Sequence, residues 1–288
     1  MAYARKLADG QTCRIHRYDI ATGESTLVHT SPTVLFEAPN WTTGGDLVLN
    51  GDGILWSLPA DGSAPPRPIP YEGLPELNND HVLAPDGETA YLSANDGHIY
   101  AASLRGGSVR QVTHEKRLHF LHGVSPDGAT LAYVGVEPGD WSTASLRTVG
   151  VDGTGDQQLT PPGGRDDGPE YTPDSAWIHF NTEHFDGHAQ IARIRPDGSG
   201  LEQLTFDDRV NWFPHFAPDG EHAVYLSYPP GTEGHPADRP VELRLVRGGD
   251  WRFPRTVVEL AGGQGTINVN SWSPDSRHFA YVDYPLAA

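Results

Sequence analysis

The sequence predicts an all-β protein: a six-bladed β-propeller of four-stranded antiparallel blades, closed by N- and C-terminal strands that share one blade. Three observations predict it: a turn motif repeated along the chain, a second kind of turn between its copies, and an incomplete repeat at each end. The 33 glycines and 25 prolines among 288 residues are typical of short elements joined by many turns. Since no linker or low-complexity tract divides the chain, we expect a single propeller domain over residues 1–288.

The first repeated unit is an aromatic or aliphatic residue, then Ser, Ala or Thr, then Pro-Asp-Gly or Pro-Asp-Ser, then an alternating apolar run. Pro fixes φ at the first central position of a turn, Asp readily adopts the backbone conformation of the second, and Gly supplies the positive φ at the exit of the turn. The apolar runs have strand composition, so each unit predicts a β-hairpin. Five clear copies and a degenerate sixth, which keeps the aromatic residue and the glycine, occupy residues 83–94, 124–135, 171–182, 216–227, 272–283 and 41–52.

A second hairpin follows the first, with Asp-Gly or Gly-Gly at its turn. These turns fall at residues 61–62, 106–107, 152–153 and 197–198. Two successive hairpins give four antiparallel strands. The Asp residues of the first turn, at positions 86, 127, 174, 219 and 275, are 41, 47, 45 and 56 residues apart. This is the period of a four-stranded propeller blade.

The two ends of the chain fix the number of blades. Residues 12–29 have the pattern of a second hairpin with no first hairpin before it, and residues 271–284 are a first hairpin with no second one after it. Joining them completes a sixth blade and removes the exposed sheet edges. The aromatic residues that repeat at one blade position are expected to pack between blades; they are Trp41, Tyr171, Phe216 and Trp272.

Charge and composition narrow the possible partners. The net charge of −18 would repel DNA and anionic lipid surfaces, so we expect neither a nucleic acid nor a membrane as partner. No stretch approaches the roughly 18 apolar residues of a membrane helix, and the N-terminal residues show no secretory signal. Cys13 is the single cysteine, which rules out an intrachain disulfide. These features favour a cytoplasmic protein.

The repeated aromatic-Ser-Pro-Asp-Gly-apolar unit resembles the WD40-like (PD40) propeller repeat of TolB and related bacterial proteins, and it covers nearly the whole chain. The sequence also resembles, more distantly, the oligogalacturonate lyases, cytoplasmic propeller enzymes that hold a divalent metal in a cluster of His and Gln side chains and cleave uronides by β-elimination. In that family a metal-binding His stands just before the repeated unit, where this chain has His81, His122 and His215.

Histidines gather in the loops that lead into the innermost strand of each blade and out of the next one. Nine of the 14 histidines lie at or beside these loops, at positions 81, 98, 114, 119, 122, 184, 188, 215 and 235. Such loops share one face of a propeller, so one interpretation is a metal centre for Mn, Fe, Ni or Zn. Its ligands would be His81, His122, His215 and Glu170. The alternative is that these histidines form hydrogen bonds with turns and with water in the channel.

A catalytic role would need a base and an anchor for a substrate carboxylate. His184 or His235 could be the base, and Arg239 could pair with the carboxylate. The loop at residues 227–240 holds five prolines or glycines before Arg239, so we expect a stiff wall or lid over the channel.

Aromatic and amide side chains on the same face are candidates for substrate binding. Trp141 and Trp212 are assigned to face loops, where they could stack on a sugar or pack the loop. The full set of substrate-binding candidates is Trp212, Trp141, Asn268, Asn270, Gln264, His188 and His119. The sequence therefore favours a carbohydrate-active protein, in its sharpest form a metal-dependent lyase acting on an acidic, uronic-acid oligosaccharide. The alternative function is a non-catalytic TolB-like scaffold that binds a protein or another ligand.

Overall fold

The computed structural model describes residues 5–286, which form 25 strands; residues 1–4 and 287–288 lie outside the described part. Those 282 described residues contain no helix that could cross a membrane. The strands are β1 (Cys13–Asp19), β2 (Glu24–Ser31), β3 (Phe36–Trp41), β4 (Asp46–Gly51), β5 (Ile54–Pro59), β6 (Arg67–Pro68), β7 (Tyr71–Glu72), β8 (Leu77–Leu83), β9 (Thr89–Ala94), β10 (Ile99–Ser103), β11 (Gly107–Ser108), β12 (Arg110–Gln111), β13 (Leu118–Val124), β14 (Thr130–Glu137), β15 (Asp140–Gly150), β16 (Gln157–Gln158), β17 (Asp167–Tyr171), β18 (Ile178–Thr182), β19 (Gln190–Ile194), β20 (Glu202–Gln203), β21 (Val210–Phe216), β22 (His222–Tyr228), β23 (Arg239–Arg247), β24 (Arg255–Gly262) and β25 (His278–Asp283).

Six antiparallel sheets form a ring, which confirms the predicted six-bladed propeller. Five blades have four strands in the orders β3-β4-β5-β6, β8-β9-β10-β12, β13-β14-β15-β16, β17-β18-β19-β20 and β21-β22-β23-β24. They are called blades 1 to 5. The sixth contains β25-β1-β2, and β7 pairs with β11 in a small parallel ribbon between the outer strands of blades 1 and 2.

The sixth blade joins the two ends of the chain, as the sequence predicts. Strand β1 pairs with β25 from Arg14 opposite Asp283 to Asp19 opposite His278. A bridge between Trp272 and Phe279 supplies the innermost position of this blade. The Arg14 guanidinium donates to Asp283 at 2.9 Å through Nε, so an ion pair adds to the backbone ladder. The ring is therefore held closed by strands from opposite ends of the chain.

The repeated turns follow the chemistry expected from their residues. In blade 3 the Asp127 carboxylate accepts a hydrogen bond from the Ala129 amide at 3.0 Å, and Gly128 takes a φ of 72°. Two copies put serine at the position of that glycine, and both Ser175 and Ser276 still adopt a φ of 60°. The turn geometry is thus kept where the glycine is lost, at some cost in backbone strain.

The aromatic residues that precede the turns lie between blades, which confirms their predicted role in the core. Tyr171, Phe216 and Trp272 are buried, and Trp41 is partly buried. The indole nitrogen of Trp272 donates to the His215 carbonyl at 3.0 Å, which ties blade 6 to blade 5.

The innermost strands are bulged, and the bulges position the side chains around the channel. The pairing register shifts within β3, β8, β13, β17 and β21. Three of these bulges contain a residue with positive φ: Ala38 at 53°, Gly168 at 62° and Phe213 at 54°. A bulge turns the neighbouring side chains away from strict alternation. Asp80 in β8 and Asp167 in β17, both at such bulges, therefore face the channel.

Candidate ligand site at the channel mouth

Two adjoining cavities of about 250 Å³ each open at the end of the channel where the inner strands begin. Trp141, Asp167 and His235 line both of them. The first is also lined by Arg5, Asn78, Asn79, Asp80, Phe120, His122, Val134, Phe213, Gln264 and Asn268. The second is also lined by Ala144, Arg165, Asp166, Glu183, Trp212 and Gly234. These cavities together are called the channel mouth.

A histidine between two carboxylates forms the floor of the channel mouth. Nε2 of His122, on β13, lies 3.0 Å from Oδ1 of Asp167 on β17 and 3.8 Å from Oδ1 of Asp80 on β8. Nδ1 of His122 lies 3.0 Å from the backbone carbonyl of Asn268. Both ring nitrogens therefore face acceptors, an arrangement that is satisfied only when both carry a proton.

The pKa values of this group follow from its geometry. Burial opposes a charged ring, but the carboxylates of Asp80 and Asp167 raise the pKa of His122 to about 9. Burial raises the pKa of Asp80 to about 6; His122 opposes this increase and Asp167 adds to it. Asp167 is buried too, yet the contact with His122 holds its pKa below the ordinary value. At neutral pH the floor thus holds two carboxylates and one imidazolium.

The loop between β22 and β23 forms one side of the channel mouth, as predicted for residues 227–240. Nε2 of His235 lies 3.5 Å from Oδ2 of Asp167, and its Nδ1 is bonded to the Gln264 side chain. Burial lowers the pKa of His235, so this ring is neutral where His122 is charged. The Tyr228 hydroxyl donates to the Pro236 carbonyl at 2.9 Å and fixes the loop.

Aromatic side chains make the upper wall. Trp141 is 51 % exposed and stacks on Phe120, with ring centroids 5.1 Å apart. Trp212 is 4 % exposed and packs against His235 at 4.4 Å. Trp212 lies within β21 and Trp141 within β15, so neither is in a loop as predicted, because these strands begin at Val210 and Asp140. The channel mouth therefore presents one open indole face beside a buried polar floor.

Comparison with known proteins places this architecture in a family. The uncharacterized protein Atu1656 of Agrobacterium fabrum is 37% identical over 278 residues, which are 94% of this chain and 92% of that protein. A solved TolB-like structure from Agrobacterium tumefaciens is 35% identical, covers 96% of this chain and 99% of its own, and superposes with a TM-score of 0.89. This chain belongs to the TolB-like propellers. No family model matches it.

One further comparison bears on the predicted metal centre of this TolB-like propeller. An oligogalacturonate lyase in complex with manganese superposes with a TM-score of 0.57 at 14% identity, over 90% of this chain and 75% of its own. At that identity the likeness shows the fold alone. Whether a metal fits here depends on this chain's own residues.

The four predicted metal ligands do not form a ligand set in the TolB-like propeller. Nδ1 of His215 lies 2.6 Å from Glu170 and its Nε2 lies 2.6 Å from the Ile267 carbonyl, so both nitrogens face hydrogen-bond acceptors. His81 points away from the channel, with Nδ1 2.6 Å from Oδ1 of Asn50 in blade 1. Within residues 5–286 no three His, Cys, Asp or Glu side chains are grouped to hold a metal ion. The residues present do not fit the predicted centre.

The predicted catalytic residues fall in different places. His235 lines the channel mouth. His184 lies behind the wall, with Nε2 3.9 Å from Oδ1 of the buried Asp166. Arg239 begins β23 with an exposed side chain and does not line either cavity. The structure therefore does not bring the proposed base and the proposed carboxylate anchor together.

The predicted substrate-binding residues divide in the same way. Trp141, Asn268 and Gln264 line the first cavity, and Trp212 lines the second. The remaining three do not: Asn270 lines a cavity of about 390 Å³ at the opposite end of the channel, His119 is buried with Nδ1 2.7 Å from the Gly97 carbonyl, and His188 contacts the Asp207 carbonyl at 3.1 Å.

Thirteen of the residues that line the channel mouth were not among the predicted site residues; they include Arg5, Asp80, Phe120, Asp167 and Phe213. Asp80 and Asp167 stand six and seven residues before the Asp of the repeated turn, so their position in the repeat was a usable signal. No such signal pointed to Arg5, because this residue precedes the first repeat. Its guanidinium lies 3.0 Å from Glu37 on β3 and 3.3 Å from Asp238.

Proposed function

We propose that this TolB-like protein binds an oligosaccharide at the channel mouth. The observation that supports this most is the pairing of an open aromatic face, Trp141 on Phe120, with buried amide and carboxylate groups directly below it. A sugar ring has apolar C–H faces and hydroxyl edges, so it needs both kinds of surface at once.

The dimensions of the channel mouth agree with this ligand class. Each cavity measures about 250 Å³, and together they fall in the ~300–1,000 Å³ range of small-molecule sites. The two cavities meet at Asp167 and His235, so neighbouring sugar units could occupy one cavity each. Asn78, Asn79 and Asn268 offer amide donors and acceptors for hydroxyl groups.

The finer hypothesis of a metal-dependent uronide lyase has weaker support. It draws on a likeness in fold, whereas His215 and Glu170 are bonded to each other and to neighbouring groups. Arg239, the suggested partner of a uronate carboxylate, lies away from the cavities. We therefore propose binding and derive no reaction step.

Titration calorimetry with purified protein in metal-free buffer tests this proposal. A panel of neutral, cationic and anionic trisaccharides should contain at least one that binds with a stoichiometry of one per chain. Absence of binding by every member would refute the proposal.

A second candidate is a scaffold for another protein. Phe206 and Phe253 favour it, because their side chains are 65% and 80% exposed on the outside of blades 4 and 5. The calorimetric panel separates the two functions, since a scaffold that uses these side chains needs no saccharide at the channel mouth.

A further inference from the structure

The charges that line the channel mouth are unequally paired. Its carboxylates belong to Asp80, Asp166, Asp167 and Glu183. Its guanidinium groups belong to Arg5 and Arg165, and each already has an acidic partner. Arg5 contacts Glu37 and Asp238, while the exposed Arg165 lies 3.6 Å from Glu183.

The remaining cation, the ring of His122, is paired with Asp167 at 3.0 Å. This leaves Asp80 without a close counter-charge: its closest charged contact among the described residues is Nε2 of His122 at 3.8 Å, beyond hydrogen-bonding distance. Asp80 is only 5 % exposed and lines the first cavity. A buried carboxylate without a close counter-charge is costly unless a cation joins it.

A second observation concerns the adjoining cavity. The Asp166 side chain is fully buried in its wall, and its Oδ1 atom has no hydrogen-bond partner within residues 5–286. Thr160 donates to the other carboxylate oxygen. The second cavity therefore contains a carboxylate oxygen that the described residues do not satisfy, and the first contains a carboxylate with no counter-charge closer than 3.8 Å.

The aromatic side chains of the wall also favour a cationic ligand. Phe120, Trp141 and Phe213 line the first cavity together with Asp80. Ring faces attract cations, and they do so more strongly where water is excluded. The net charge of −18 adds a long-range attraction for cations and a repulsion for anions.

The geometry points to an oligosaccharide that carries a protonated amine, an amino sugar, with its ammonium group beside Asp80 and its ring against Trp141. This inference rests on the proposed function and names its ligand class. A uronate would place a carboxylate next to Asp80 and Asp167, and all cations lining the channel mouth already have acidic partners. The uronide expected from the sequence is therefore the least suitable of the three charge types.

Three trisaccharides that differ in charge test this inference by calorimetry at pH 6 and low salt: the glucosamine trimer, the N-acetylglucosamine trimer and the galacturonate trimer. The first two share one backbone, and acetylation removes the positive charge. We expect the glucosamine trimer to bind at least ten-fold more tightly than its acetylated form, and the galacturonate trimer to bind most weakly.

The variant Asp80→Asn should reduce the ten-fold preference for the glucosamine trimer over its acetylated form to less than three-fold. Asp250→Asn removes an equal charge from an exposed loop between β23 and β24 and should leave the preference unchanged. If the glucosamine and acetylated trimers bind wild type equally, the inference is wrong and the proposed function stands. If no trimer binds, both fail.

A measurement on wild type alone guards against a variant that does not fold. Because the pKa of Asp80 is raised to about 6, an ammonium group should displace part of its proton at pH 6. Binding enthalpies of the glucosamine trimer measured in phosphate and in MES should then differ by the heat of buffer protonation. Equal enthalpies would contradict a contact between the amine and Asp80.

Discussion

The imidazole of His122 lies 3.0 Å from the carboxylate of Asp167, and this contact joins the inner strands of blades 3 and 4 at the floor of the channel mouth. The second ring nitrogen reaches the Asn268 carbonyl of blade 6. One side chain thus links three blades, and its charge state affects both the ring and the site.

The stability of the protein should depend on pH through His122. Its pKa is raised to about 9 from an ordinary value of 6.5, so its contribution is fully present below pH 6.5 and is lost as pH rises through 9. Between these pH values the free energy of unfolding of wild type should fall by on the order of 2 kcal/mol more than that of His122→Gln. Urea unfolding at several pH values measures this.

A histidine on the surface provides the control for that experiment. His114 is exposed, and His114→Gln should show the pH dependence of wild type. Parallel curves for wild type and His122→Gln would mean that His122 is not charged in the folded protein.

Trp141 should matter for binding and not for folding. Its side chain is 51 % exposed, so Trp141→Ala should change the melting temperature by less than about 2 °C. Loss of the stacking face should weaken saccharide binding at least about five-fold, since aromatic stacking contributes about 1 kcal/mol or more.

Phe253→Ala is the matched control for Trp141→Ala, because Phe253 is 80 % exposed and lies outside the channel mouth. The affinity of Phe253→Ala for the saccharide should equal that of wild type. If Trp141→Ala binds the saccharide as tightly as wild type does, the ligand does not lie against this wall.

Because β1 closes the ring, this terminal strand should contribute as much to the stability of the protein as strands in the middle of the chain. Ile15 on β1 and Leu131 on β14 are both fully buried. Substitution of either by Ala should lower the free energy of unfolding by about 2–5 kcal/mol. Leu27→Ala on the exposed face of β2 should cost less than about 0.5 kcal/mol. Equal, small effects of the Ile15 and Leu27 substitutions would show that β1 adds little to the ring.

The Arg5–Glu37 pair should show the asymmetry of a buried ion pair. Burial raises the pKa of Glu37, and Arg5 opposes that shift. Arg5→Met leaves the carboxylate without its cation and should cost about 3 kcal/mol. The double variant Arg5→Met/Glu37→Gln should regain more than half of this loss in chemical unfolding. A double variant that is less stable than Arg5→Met would contradict the pairing.

The fold was predictable because its turns have strict chemical requirements. Pro-Asp-Gly units such as Pro126-Asp127-Gly128 define hairpins, and the half-repeats at residues 12–29 and 271–284 define how the ring closes. Each of these signals is local, so it can be read without knowing how blades pack.

The site was only partly predictable because the bulges in the inner strands decide which side chains face the channel. His81 and His122 each stand five residues before the Asp of the repeated turn. His122 reaches the channel floor, whereas His81 packs against Asn50 in the neighbouring blade and leaves that floor to Asp80. The register shift lies before His81 in β8 but around position 122 in β13. Sequence spacing alone does not locate such a shift.

A crystal structure of the protein soaked with the glucosamine trimer tests the central claim most directly. We expect density for a sugar ring against Trp141, with its amine nitrogen within about 3.2 Å of a carboxylate oxygen of Asp80. Density only in the cavity at the opposite end of the channel, or only on the outer wall of a blade, would contradict the assignment of the channel mouth as the ligand site.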